Sequence, residues 1–178
     1  MDYRSVAAFQ GQDCWCPFFA QLTAAVLGEF VVRGFEIAGD LIAVSGNIVV
    51  TLLLYDIFKP VNKSLSLLAA SFNLVGLTCG ALRWNPRGVD ITVVFGGFSC
   101  LLTGYLIFRS VFLPRILGVL MAFAGLGWVT YLVPSLAKHV SPYNLACGLL
   151  GQESVMLWLL VMGVNVQKWR EQAGAPVE

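Results

Sequence analysis

A chain of 178 residues with 58% hydrophobic and 12% charged residues, and a mean hydropathy of +0.79, is too apolar for a water-soluble domain, where about a quarter of residues are charged. Its formal net charge of +1 offers neither a basic face for nucleic acid nor an acidic tail for a basic partner. Nucleic acid is therefore excluded as a partner, membrane lipids are the expected surroundings, and the fold class is an all-α integral membrane protein.

No linker, low-complexity tract or repeat divides the chain, so residues 1–178 are expected to form a single transmembrane domain. The N-terminal stretch MDYRSVAAFQGQDCWCPFF has no charged n-region leading into an h-region and cleavage site, so the first membrane segment is expected to be retained. About 20 helical residues cross a hydrocarbon core of ~30 Å. On that measure the apolar runs predict about six spans, near residues 17–32, 41–58, 65–82, 91–108, 114–133 and 143–164. The first is short and carries Gln21 and Glu29. KPVNKS after the second and RWNPRG after the third are turn signals, because proline and glycine interrupt a helix and the flanking charges favour water.

Short loops rich in Lys and Arg stay cytoplasmic. Arg4, Lys59, Lys63, Arg109, Arg115, Lys168 and Arg170 fall on one side of this six-span arrangement, and Arg33, Arg83, Arg87 and Lys138 on the other. The imbalance predicts both termini in the cytoplasm. Trp84 and Trp169 sit at predicted span ends, where amphipathic rings favour the interface.

Helices in lipid approach closely through small residues. Ala69, Asn73, Gly76 and Gly80 form one stripe on the third span, Gly96, Cys100 and Gly104 another on the fourth, and Gly118, Ala122 and Gly125 a third on the fifth. A tight bundle is the expectation; the alternative is that glycine is simply common in membrane helices. Pro114 can open the fifth span because its missing N–H falls in the first turn. Arg109 and Arg115, on either side of SVFLP, are topology determinants or hold anionic lipid head groups or a partner's carboxylate.

The stretch GYLIFRSVFLPRILGVLMAFAGLGW, with FKPVNKSLSLLAASFNLV before it and GQESVMLWLLVMGV after it, resembles the bacterial membrane family catalogued as domain of unknown function 4386. The resemblance runs from about Phe19 to Val164. Its most specific part is G-Y-L-I-x-R-S-x-x-x-P-R-x-L-G-V-L, matched by Gly104, Tyr105, Arg109, Ser110, Pro114, Arg115 and Gly118; Glu153 and Trp158 supply a second match. It implies a multi-pass protein of the bacterial cytoplasmic (inner) membrane and brings no catalytic residues with it. The chain departs from the family in its short outer loops and in having Asn73 where a basic residue is expected.

Glu153 interrupts the last apolar run. An ionised carboxylate at mid-bilayer costs several kcal/mol, with about 2.5 to 3.5 on insertion scales for the related Asp. It must therefore be protonated, paired or turned toward a wet cavity. Asn47 and Asn73 lie at comparable predicted depth and can donate hydrogen bonds. Three readings stand: a neutral glutamic acid that locks helix packing, a titrating or ligand-binding carboxylate in a cavity, and a contact with another membrane subunit.

Near the first span, Glu29 and Arg33 can pair across one turn. Cys14 and Cys16 are predicted on the cytoplasmic side, Cys79, Cys100 and Cys147 lie in separate spans, and the only histidine, His139, lies in an outer loop. No metal or cofactor site is expected from that scatter. Three functional classes remain: a non-enzymatic accessory or regulatory subunit of a membrane assembly, a small-molecule or proton-coupled carrier built on Glu153, Asn47 and Asn73, and an enzyme using Glu153 as acid or base. The enzyme is disfavoured because no second titratable group is placed to converge on Glu153.

Overall fold

The computed structural model describes residues 36–82, 86 and 89–174, and among these every regular element is helical. The helices are α1 (Glu36–Phe58), α2 (Lys63–Ala81), α3 (Ile91–Arg109), α4 (Arg115–Val129), α5 (Pro134–Val140), α6 (Tyr143–Val161) and α7 (Val166–Ala173). A 3-10 turn, Thr130–Leu132, extends α4. Among the described residues, four segments are long and apolar enough to cross a membrane: α2, α3, Arg115–Leu132 and α6. In α1 the apolar part is shorter, Val44–Phe58. The first predicted span, 17–32, lies outside the described residues, so the six-helix bundle is reduced here to these four helices with α1 beside them.

Local chemistry sets the ends. Asn62 accepts from Leu65 N at 3.1 Å and starts α2; Asp90 accepts from Val93 N at 3.4 Å and starts α3. Each carboxamide or carboxylate oxygen satisfies an amide that the first turn leaves without a partner. The fifth predicted span reached residue 133, whereas α4 tightens at Thr130, whose hydroxyl donates to Gly127 O at 2.6 Å, and Pro134 then opens α5. The sixth reached 164, but α6 stops at Val161 because Gly163 turns left-handed at φ 66°, a conformation costly for any residue with a Cβ.

Chain neighbours pack in sequence, α1 on α2, α2 on α3, α3 on α4 and α4 on α6. A buried cluster sits at one end of this layer. Ile57 and Phe58 from α1, Leu106 and Ile107 from α3, Phe112 and Leu113 from the following turn, Leu117 from α4, and Val155 and Leu159 from α6 converge there. Phe58 stacks on Phe112 with ring centroids 6.1 Å apart. The α1–α2 turn and the α3–α4 turn thus share one end of the molecule.

The tail closes the same end. Trp169 of α7 donates its indole N–H to Ile57 O at 2.9 Å, and Gln172 Oε1 accepts from Val111 N at 3.2 Å. Leucines and phenylalanines cover the outside, among them Leu52, Leu67, Phe98, Phe123 and Leu126. Such a surface suits hydrocarbon surroundings and would be an aggregation site in water. These are the features of a membrane protein.

Candidate functional site

Asn47 and Asn73, chosen from sequence for their depth, meet across the α1–α2 seam. Asn73 Nδ2 donates to Asn47 Oδ1 at 3.0 Å and to Thr51 Oγ1 at 2.6 Å. Thr51, only 3% exposed, donates in turn to Asn47 O at 2.7 Å. Sequence reasoning missed Thr51. Its signal was the spacing of four from Asn47, which puts both on one helix face.

Next to this triad the seam stays polar. Ser66 donates to Tyr55 O and Ser99 to Ala69 O, both at 2.9 Å. Thr51, Ser66, Asn73, Ser99 and Thr103 line a cavity of about 30 Å³ where α1, α2 and α3 meet. Hydroxyls that donate to backbone carbonyls stand out neither in composition nor in periodicity, so these also went unremarked.

Glu153 belongs to a different seam. The buried face of α6 is Asn144, Gly148, Gly151, Val155 and Leu159, and it packs on α4. Two residues from both Gly151 and Val155, Glu153 is displaced by roughly 160° around the helix from each. It is half-buried, and Ala146, Leu149, Leu150 and Leu157 on its side are exposed. Both amide hydrogens of Asn73 are engaged on α1, so the Asn47–Asn73 contact does not include Glu153.

Asn144 is a further polar group that the sequence reading passed over. It is 2% exposed and donates to Thr130 Oγ1 at 3.3 Å and Ala137 O at 3.4 Å, fastening α6 to the end of α4 and to α5.

At the end closed by α7, Arg109 donates to Tyr105 Oη at 3.2 Å and the Arg115 guanidinium lies 5.9 Å from the centre of the Phe108 ring. Both arginines are exposed, each held against an aromatic of α3. That geometry leaves cationic edges free for phosphate or carboxylate.

Glycines bring α3 and α4 to backbone contact. A Cβ on Gly104 would lie 2.9 Å from Gly118 O and from Ala122 N, and one on Gly118 2.8 Å from Gly104 O. Gly76, Gly80 and Gly125 also stand at crowded crossings, whereas a Cβ on Gly96 would meet nothing within 4 Å. The stripe assigned to Gly96, Cys100 and Gly104 is corrected to Gly97, Cys100 and Gly104. Steps of three and four keep to one face, while two steps of four drift off it, at about 100° per residue.

Cys79, Cys100 and Cys147 stand on α2, α3 and α6, and among the described residues no group of three or more His, Cys, Asp or Glu could hold a metal ion. His139 is exposed in the last turn of α5. Cys14, Cys16, Glu29, Arg33, Arg83, Trp84 and Arg87 lie outside the described residues.

Residues 80–163 match the model of a family described as a domain of unknown function, DUF4386. The resemblance read around Gly104–Gly118 therefore holds over that stretch. An uncharacterized protein of Archaeoglobus fulgidus is 25% identical over 140 residues, covering 72% of this chain and 84% of the relative. No solved structure matches the chain.

Proposed function

We propose that this chain, whose matched family has no assigned activity, is a non-enzymatic, multi-pass accessory or regulatory subunit of a membrane assembly in the bacterial cytoplasmic membrane. Glu153 carries the reading. It stands on the face of α6 turned away from α4, among exposed leucines, at a depth where a carboxylate needs a donor or a cation. The occupant that fits is a helix of another membrane protein, apolar overall, with one hydrogen-bond donor or cation at the level of Glu153. Lys59, Lys63, Arg109, Arg115 and Lys168 gather at the end closed by α7, which favours that end in the cytoplasm, and the N-terminus joins it there if residues 17–32 cross the membrane.

Native mass spectrometry of mildly solubilised protein, wild type against Glu153→Gln, tests this. Discrete additional chains retained by the wild type and lost from the variant are expected. A lone chain in both would end the subunit reading and assign the Glu153 face to lipid or to the chain's own residues 17–32.

A second reading, a small-molecule or proton-coupled carrier, is favoured by the polar contact of Asn47, Thr51 and Asn73 inside the helix layer. It requires flux in vesicles that Glu153→Gln or Asn73→Leu abolishes while the chain stays folded.

A further inference from the structure

The cavity between α1, α2 and α3 has a wall whose hydrogen-bond directions are fixed by its partners. A backbone carbonyl can only accept, so Ser66 must turn its proton to Tyr55 O, Ser99 to Ala69 O and Thr51 to Asn47 O. Asn73 directs one amide hydrogen to Asn47 Oδ1 and the other to Thr51 Oγ1. What these side chains retain is lone pairs: the hydroxyl oxygens of Ser66, Ser99 and Thr51 and the Oδ1 of Asn73. Thr103, 5% exposed, adds another hydroxyl to the same cavity.

The polar part of this wall mainly accepts, and the rest of the lining, Leu54, Tyr55, Phe58, Ala69, Ala70 and Leu106, is apolar or aromatic. A water molecule can donate to two of these oxygens and accept from Thr103, so water is the competing guest. A cation satisfies all the oxygens together. The volume of about 30 Å³ is of the order of one water-sized guest. No carboxylate lines the cavity, so a divalent ion would bring two uncompensated charges into a low-dielectric layer, whereas a single charge shared among neutral oxygens costs much less. Neutral oxygens hold sodium within the membrane layer of transport proteins on the same principle.

We propose that this cavity binds one small monovalent cation, ligated by neutral oxygens of Thr51, Ser66, Asn73, Ser99 and Thr103. The site ties α1 to the α2–α3 pair and is independent of the Glu153 face.

The test is thermal unfolding of the full chain in detergent, titrated with sodium chloride against choline chloride at constant ionic strength. A ligand that binds only the folded state raises the midpoint with its concentration. Sodium is expected to produce an upward shift of a few degrees that choline does not, and radiosodium to bind the wild type saturably at one ion per chain. Ser99→Ala and Thr103→Val should each abolish most of the shift, while Ser71→Ala, which alters an exposed hydroxyl of α2, should keep it. Equal midpoints in the two salts, or no saturable radiosodium binding to the wild type, would overturn the proposal and leave the cavity to water. A shift that survives both cavity substitutions would overturn it as well.

Discussion

Asn73 is fastened to α1 twice, and in a membrane interior the strength of such a contact depends on what the separated groups would otherwise find. Measured polar contacts between membrane helices couple by about 0.6 kcal/mol on average and about 1.7 at most. A double-mutant cycle of Asn73→Leu with the near-isosteric Thr51→Val, read by reversible unfolding in detergent, should return a coupling in that range. Additive losses would show that the 2.6 Å contact contributes nothing of its own. The two asparagines were legible because an amide within an apolar run is conspicuous. Thr51 and Thr103 were not, since a threonine hydroxyl costs so little in a hydropathy count that its neighbours conceal it. Glu153 was conspicuous too, yet its face of α6 is decided by which side carries Gly148 and Gly151, and that emerges only when Trp128 and Leu120 of α4 are seen against them.

Helices were read from run length and placed with useful accuracy, because hydrocarbon thickness constrains all of them alike. Their registers were harder, as the glycines of α3 demonstrate. Gly104→Ala places a methyl against backbone of α4 on two sides, so neither neighbour can yield by rotating a side chain. Overpacking of this kind costs about 1 to 3 kcal/mol. Gly96→Ala meets open space and replaces a poor helix former, so it should be neutral or stabilising by up to about 1 kcal/mol. Opposite signs for the two variants in the same unfolding assay are expected; equal losses would return Gly96 to the seam. The short helices α5 and α7 left no apolar run to read. The first depends on Pro134 at its start, the second on Asn165, whose side chain accepts from Lys168 N at 3.1 Å.

For the molecule as a whole, the α1–α2 turn, the α3–α4 turn and α7 share one end. Single cysteines at Lys63, Val111 and Gln172 in a cysteine-free background should therefore react with an impermeant maleimide from one side of the membrane, and a cysteine at His139 from the other. A split among the first three would break the arrangement. Trp169→Phe keeps a smaller aromatic ring against the buried cluster and removes the donor to Ile57 O, the hydrogen bond accounting for about 1 kcal/mol of the change. It should leave the global midpoint nearly intact while speeding tryptic cleavage at Lys168 and Arg170; an unchanged cleavage rate would mean that α7 is held by other contacts. That indole bond joins residues 112 apart in the chain. During synthesis Ile57 leaves the ribosome long before Trp169 is made, so α1 must stay in place on its other contacts through the whole interval. The bond forms only after Trp169 has been made, and a chain that stalls before Trp169 is left with the base of α1 unfastened.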